Sequence, residues 1–187
     1  MTPDFAAELA DLRQRVQDLR PGPQNQLSMI VFSGDLDRLI ATMIIANGAA
    51  ASGLRVILFF TFWGTAALRD PHKRAGRKDL VSRMFAWMLP NGYGRVTLSK
   101  LHLAGMGTAM LKGLMRKKNV PSLERMFELA GKLGVEIKVC EMSMDLMGFQ
   151  REEIIDYPKL EYCGVATFLA EARESSVQLF VLSLIHI

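Results

Sequence analysis

Cysteine is scarce. Two residues, Cys140 and Cys163, serve 187 positions and form no CxxC pair, which excludes a disulfide scaffold. A reducing compartment follows, and a cytoplasmic location is expected. Three scattered histidines lack metal-ligand spacing, so no metal is expected. There is no GxGxxG fingerprint and no Walker A sequence, which argues against a nucleotide or any other cofactor. No apolar h-region opens the chain, and its first residues are acidic and polar, so no secretory signal is expected. Internal repeats and low-complexity tracts are absent. The net charge of +4 and pI near 9.2 are only mildly basic, and no nucleic-acid partner is expected.

Long unbroken hydrophobic spans are also missing. Residues 39–68 are mostly apolar with one charge, Arg55, but the runs on either side of it fall short of the ~20 residues that a membrane span needs. A helix and a strand packed in a core account for the stretch, and membrane contact is not expected.

What remains is a globular composition, 50% hydrophobic and 22% charged, long enough for one domain with a substantial core. In residues 3–20, Leu9, Leu12, Val16 and Leu19 recur at helical spacing before Pro21-Gly22-Pro23 breaks the pattern. Residues 1–26 are therefore read as a helical arm with its linker, and 27–187 as the domain. The apolar run Met29–Phe32 predicts a buried parallel strand within 28–33, turned by Ser33-Gly34-Asp35, with Ser33 or Asp35 capping a helix from Leu36 to Ala51. That helix is expected to turn Leu39, Ile40, Met43 and Ile44 inward and to end at Gly53. A strand over 56–60 and an aromatic loop, Thr61–Thr65, follow. Residues 69–83 are basic and read as a solvated face, with a helix over 79–88. Residues 95–120, rich in Met and Gly, read as a helix-bearing insertion. Ser122 caps a helix to Leu133 whose core face is Leu123, Met126, Phe127 and Ala130. Residues 162–172 read as a helix with Val165, Phe168 and Leu169 inward, and 177–182 as the last strand. The sum is an α/β domain, a parallel sheet of four or five strands with helices on both faces.

The segment Val135–Gly148 carries the chemistry. Val135, Ile137 and Val139 alternate with Glu136 and Lys138, as in a strand, and Met144, Leu146 and Met147 suit a short helix closed by Gly148. Cys140 falls at the junction. A thiol opening a helix lies near unpartnered backbone N–H groups, and the helix dipole favours its thiolate, the nucleophilic form. Burial as a structural cysteine is the competing reading. Ligands of open parallel sheets bind beyond the strands' carboxyl ends. On that edge Ser33, Gly34, Asp35, Thr61, Phe62, Trp63 and Gly64 are pocket candidates, with Glu141, Met142 and Met144 beside the thiol. Asp35 also reads as an N-cap, Trp63 as a wall, and the methionines as core. Cys163, just before Gly164, is a candidate second thiol or an incidental small residue.

Five segments together resemble the DsrE/DsrF-like sulfur-relay family, in its DsrE-like second subgroup. They are Ser33–Asp37, Phe59–Gly64, Lys117–Leu123, Cys140–Gly148 and Gly164–Leu169, in the family's order, with the resemblance spanning about residues 28–182. It implies a flavodoxin-like α/β domain, homo-oligomers, and a cysteine that carries sulfur as a persulfide, which corresponds to Cys140. The function so implied is that of a sulfurtransferase or sulfur carrier, with TusA-like or rhodanese-like proteins as exchange partners. A non-catalytic oligomeric scaffold and a Cys140/Cys163 thiol-disulfide protein are the alternatives. A carrier thiol is expected in an apolar pocket reached from solvent, partly buried, with Thr61 or Trp63 facing it.

Overall fold

The computed structural model describes residues 8–9, 24–73, 92, 96–98 and 106–182. Of the expected arm and linker only Glu8, Leu9 and residues 24–26 fall among them, the last three in a strand, while the helix over 79–88, most of the basic run and the residues after 182 lie outside.

Five parallel strands form one sheet: β1 (Gln24–Val31), β2 (Arg55–Phe60), β3 (Glu136–Cys140), β4 (Leu160–Cys163) and β5 (Ser175–Val181), in the order β4-β3-β2-β1-β5. Helices α1 (Leu36–Ala51), α2 (Trp63–Ala67), α3 (Met106–Lys117), α4 (Leu123–Lys132) and α5 (Glu141–Met147) lie between β1 and β4, and α6 (Val165–Ala172) joins β4 to β5. From β1 to β4 the chain steps in one direction across the sheet. A right-handed crossover then puts every intervening helix on the same face. The step from β4 back to β5 reverses direction, so α6 must cross the opposite face. The two cores follow from this. Leu27, Met29 and Val31 of β1, Val56, Leu58 and Phe60 of β2, and Ile137 and Val139 of β3 meet α1, α4 and α5 in the large core. Ile57, Phe59, Cys140 and Cys163 meet Phe168 and Ala172 of α6 in the small one. The period-two alternation of the strands is what sorts these residues between faces.

The expected layered α/β domain is thus present, and several local expectations hold. Helix α1 has the bounds read from the sequence, and Gly53 follows at φ +87°. Ser122 caps α4 by accepting from the Arg125 N–H at 3.3 Å, and Leu123, Met126, Phe127 and Ala130 are its buried face.

Other expectations are corrected. Tyr162 and Cys163 are not helical. They end β4, a four-residue strand too short for its alternation to be read, and the helix starts only after Gly164. Residues 63–67 are a short helix rather than loop. Strand β1 starts at Gln24, earlier than the apolar run suggests, because parallel pairing continues through the polar Gln26. Ile44 is exposed, as are Val165 and Leu169. Arg69 is no part of a solvated face. Its guanidinium and the Glu153 carboxylate are both about 95% buried, paired at 3.1 Å, and the guanidinium lies 4.8 Å from the Phe149 ring centroid. No helix among the described residues is long and apolar enough to cross a membrane.

Candidate functional site

Three consecutive chain ends define the sheet's upper edge. After β1, Phe32 donates its N–H to the Val181 carbonyl of β5. After β2, the Thr61 N–H reaches the Val31 carbonyl at 3.2 Å and the Gly64 N–H reaches the Phe32 carbonyl at 2.9 Å. The two turns interlock backbone to backbone. A Cβ on Gly34 would stand 2.5 Å from the Trp63 carbonyl oxygen, and one on Gly64 would collide with the Val31 carbonyl. Glycine is required at both positions by this close approach. Phe62, between them, holds φ +46° and ψ −122°, a costly conformation for a bulky residue. Its ring lies 5.2 Å from that of Phe32.

The third end is Cys140. It is the last residue of β3 and the N-cap of α5, at φ −70° and ψ 112°, the junction anticipated from the alternation before it and the helical residues after it. Gly148 closes α5 in the left-handed region, φ 66°. The loop after β2 is tied to this helix by a buried hydrogen bond of 2.7 Å between the Thr61 and Ser143 hydroxyls. Glu141 turns away to an ion pair with Arg151, whose guanidinium also covers the Tyr162 ring at 4.6 Å.

The predicted pocket residues are therefore drawn to one edge, where they differ widely in exposure. Ser33 donates to the Asp35 carboxylate at 2.9 Å, so Asp35 stands at the N-cap of α1 without capping it through its side chain. Trp63 is exposed and Met142 points outward, while Met144 and Met147 are buried in the large core. An open hollow of about 410 Å3 borders Glu141, Met144, Asp145 and Arg151 on the outer side of α5, and Cys140 does not line it. Cys140 itself is 2% exposed, on the small-core face beneath α6. This is deeper than the partial burial expected of a carrier thiol.

The candidate second thiol is brought beside the first. Cys163 is the register partner of Cys140 across β3 and β4, and both thiols are free. They end adjacent strands whose following helices leave on opposite faces, α5 toward the large core and α6 toward the small one. That divergence is a topological switch point, where open α/β sheets form their crevices. Lys138, two residues below Cys140, was missed. It is 3% exposed yet charged, hydrogen-bonded to Glu161 at 2.6 Å and paired with Glu171 of α6 at 3.1 Å. Burial opposes its charge, but the two carboxylates outweigh that and hold its pKa above the ordinary lysine value. Burial pushes the Cys163 thiol up, against the pull of the Lys138 ammonium. The signal available in the sequence was the alternate set Glu136, Lys138 and Cys140, which places a lysine and the thiol on one face of the strand.

Sheet order, layering and a thiol at a strand-to-helix junction make this a thiol-bearing open α/β domain. The chain belongs to the DsrE/DsrF/DrsH-like family, whose model matches residues 23–180. It is 44% identical over 154 residues to the uncharacterized protein YrkE of Bacillus subtilis, covering 82% of this chain and 95% of that one. It is 33% identical over 159 residues to the sulfur carrier protein DsrE2 of Allochromatium vinosum, covering 84% and 99%. The crystal structure of the YchN protein from E. coli matches 83% of this chain and 97% of its own at 12% identity, with a TM-score of 0.47.

Proposed function

We propose that this protein is a sulfur carrier that accepts sulfur on Cys140 as a persulfide and passes it to a second thiol protein. The observation that carries the reading is the placement of Cys140: it ends β3, stands at the N-cap position of α5 and sits at the switch point of the sheet. Family membership and the similarity to a protein named as a sulfur carrier support it. Exchange occurs when a thiolate attacks a sulfur atom, so the incoming thiol must reach Cys140. The cover over Cys140 is α6, two turns long and exposed at Val165 and Leu169, and its displacement opens the site. The cytoplasmic partners that fit are TusA-like or rhodanese-like proteins, which present a persulfide or thiol of their own. We also assign the exposed Phe180 of β5 to contact between copies of the chain, with α6 left free to move.

The test is loading with a persulfide donor, followed by mass spectrometry. Added sulfur on the peptide that contains Cys140, lost in Cys140→Ala, is the expected result. An unmodified Cys140 under conditions that load a known carrier overturns the reading.

A further inference from the structure

We propose that Cys163 is a resolving thiol for Cys140. Its sulfur attacks the inner sulfur of the Cys140 persulfide, a Cys140–Cys163 disulfide forms, and the outer sulfur departs as hydrogen sulfide. This rests on the carrier reading of Cys140. The step balances. The bond between inner and outer sulfur breaks while the bond between the two cysteine sulfurs forms. The proton of Cys163 leaves with the outgoing sulfur, which takes the electron pair of the broken bond as Cys163 is oxidised from thiol to disulfide. A dithiol reductant must then return two electrons before the carrier can load again.

The geometry brings the thiols together without any rearrangement of the sheet. Neighbouring strands lie about 4.8 Å apart, and Cys140 and Cys163 occupy matched positions on them. Their Cα separation therefore falls in the range that a disulfide bridges, roughly 4.4–6.8 Å. Both side chains point to the same face and share one enclosed cluster with Ile57, Phe59, Phe168 and Ala172. Within that cluster Cys163 is the thiol beside Cys140. Both residues end their strands, so neither is held by a continuing ladder above it. The residue after Cys163 is the exposed Gly164, so the pair lies one residue along the chain from the surface.

Burial of Cys163, in the field of nearby charged groups, sets the timing of the step. Lys138 of β3, Glu161 of β4 and Glu171 of α6 are the ionic groups whose fields reach Cys163, with the Cys140 sulfur as its other titratable neighbour. Burial keeps Cys163 protonated above its ordinary value, so resolution is slow near neutrality and quickens as pH rises. A loaded carrier thus has time to meet its acceptor, and an undelivered sulfur is eventually released.

The experiment loads the reduced full chain and Cys163→Ser with inorganic polysulfide, removes the excess, and follows intact mass and released sulfide. The wild type should lose the added sulfur, release one sulfide per loaded chain and finish two hydrogens lighter than the reduced chain, with a linked Cys140–Cys163 peptide. Cys163→Ser should keep its persulfide on Cys140 at least about tenfold longer. Cys163→Ala repeats the measurement without a buried hydroxyl. Equal decay in all three proteins, with no linked peptide, overturns the resolving role while the loaded Cys140 upholds the carrier reading. Failure of Cys140 to load in any of them overturns both.

Discussion

The Thr61 and Ser143 hydroxyls meet at 2.7 Å with no access to water, and this bond fastens the turn after β2 to the helix that begins after Cys140. Removing one hydroxyl strands the other in a dry site. Thr61→Val is expected to cost about 1–3 kcal/mol in denaturant unfolding. The Thr61→Val/Ser143→Ala double variant should recover part of that, because no orphaned group remains. Cys140 alkylation should accelerate in the single variant, as the start of α5 loosens; an unchanged rate would mean that access is governed by α6 alone.

Gly64→Ala forces a Cβ against the Val31 carbonyl, and Gly34→Ala forces one against the Trp63 carbonyl. Backbone cannot step aside as a side-chain end can. Each substitution should lower stability by about 2 kcal/mol or more. Gly48→Ala, where the same Cβ meets open space inside α1, should stabilise slightly or change little. Thermal melts of the three variants give the ranking.

Glu153→Gln removes the negative charge opposite the buried Arg69. A loss of about 3 kcal/mol or more is expected, since a buried cation is then left with a neutral amide. An Arg69→Met/Glu153→Leu pair should lose much less. The two substitutions would be non-additive in a double-mutant cycle, and additivity would show that the pair is not coupled.

The buried thiol gives a pH dependence with a defined sign. In a Cys140→Ala background, alkylation of Cys163 should reach half its plateau rate at a higher pH than in the denatured chain, because burial favours the protonated form. The same linkage acts on folding. The folded state holds the proton more tightly, so this contribution to stability is complete below the ordinary value of 9.0 and is lost as pH rises through the folded one. A folded-state titration at or below the denatured one would contradict it.

The large core was legible in the residues. Alternation in 135–139, the spacing of Leu123, Met126, Phe127 and Ala130, and the glycine after α1 each carry a local rule that the structure obeys. The small face was not legible. β4 offers four residues, Leu160–Cys163, of which one is buried, so neither period nor propensity marks it as a strand. Without β4 the candidate second thiol could be named but not placed beside Cys140, since register between strands more than twenty residues apart has no local signature. The exposure of Val165 and Leu169 was hidden for a related reason. α6 lies alone, among the described residues, on a face where one turn of contact satisfies it, and Phe168 stacking on Phe59 at 4.6 Å supplies that contact.

The strand order has a consequence for how the chain acquires its shape. β5 is made after β4 yet pairs with β1, and contacts such as Gln26 to Ser175 span 149 residues. During synthesis the first four strands can assemble while one side of β1 still offers unpaired N–H and C=O groups, with Met29 and Ile30 along that open rim. Such a rim is a template for pairing with another growing chain. The late arrival of residues 175–181 also makes the final closure a slow, high-separation event. Nascent copies are therefore most exposed to mispairing just before β5 emerges.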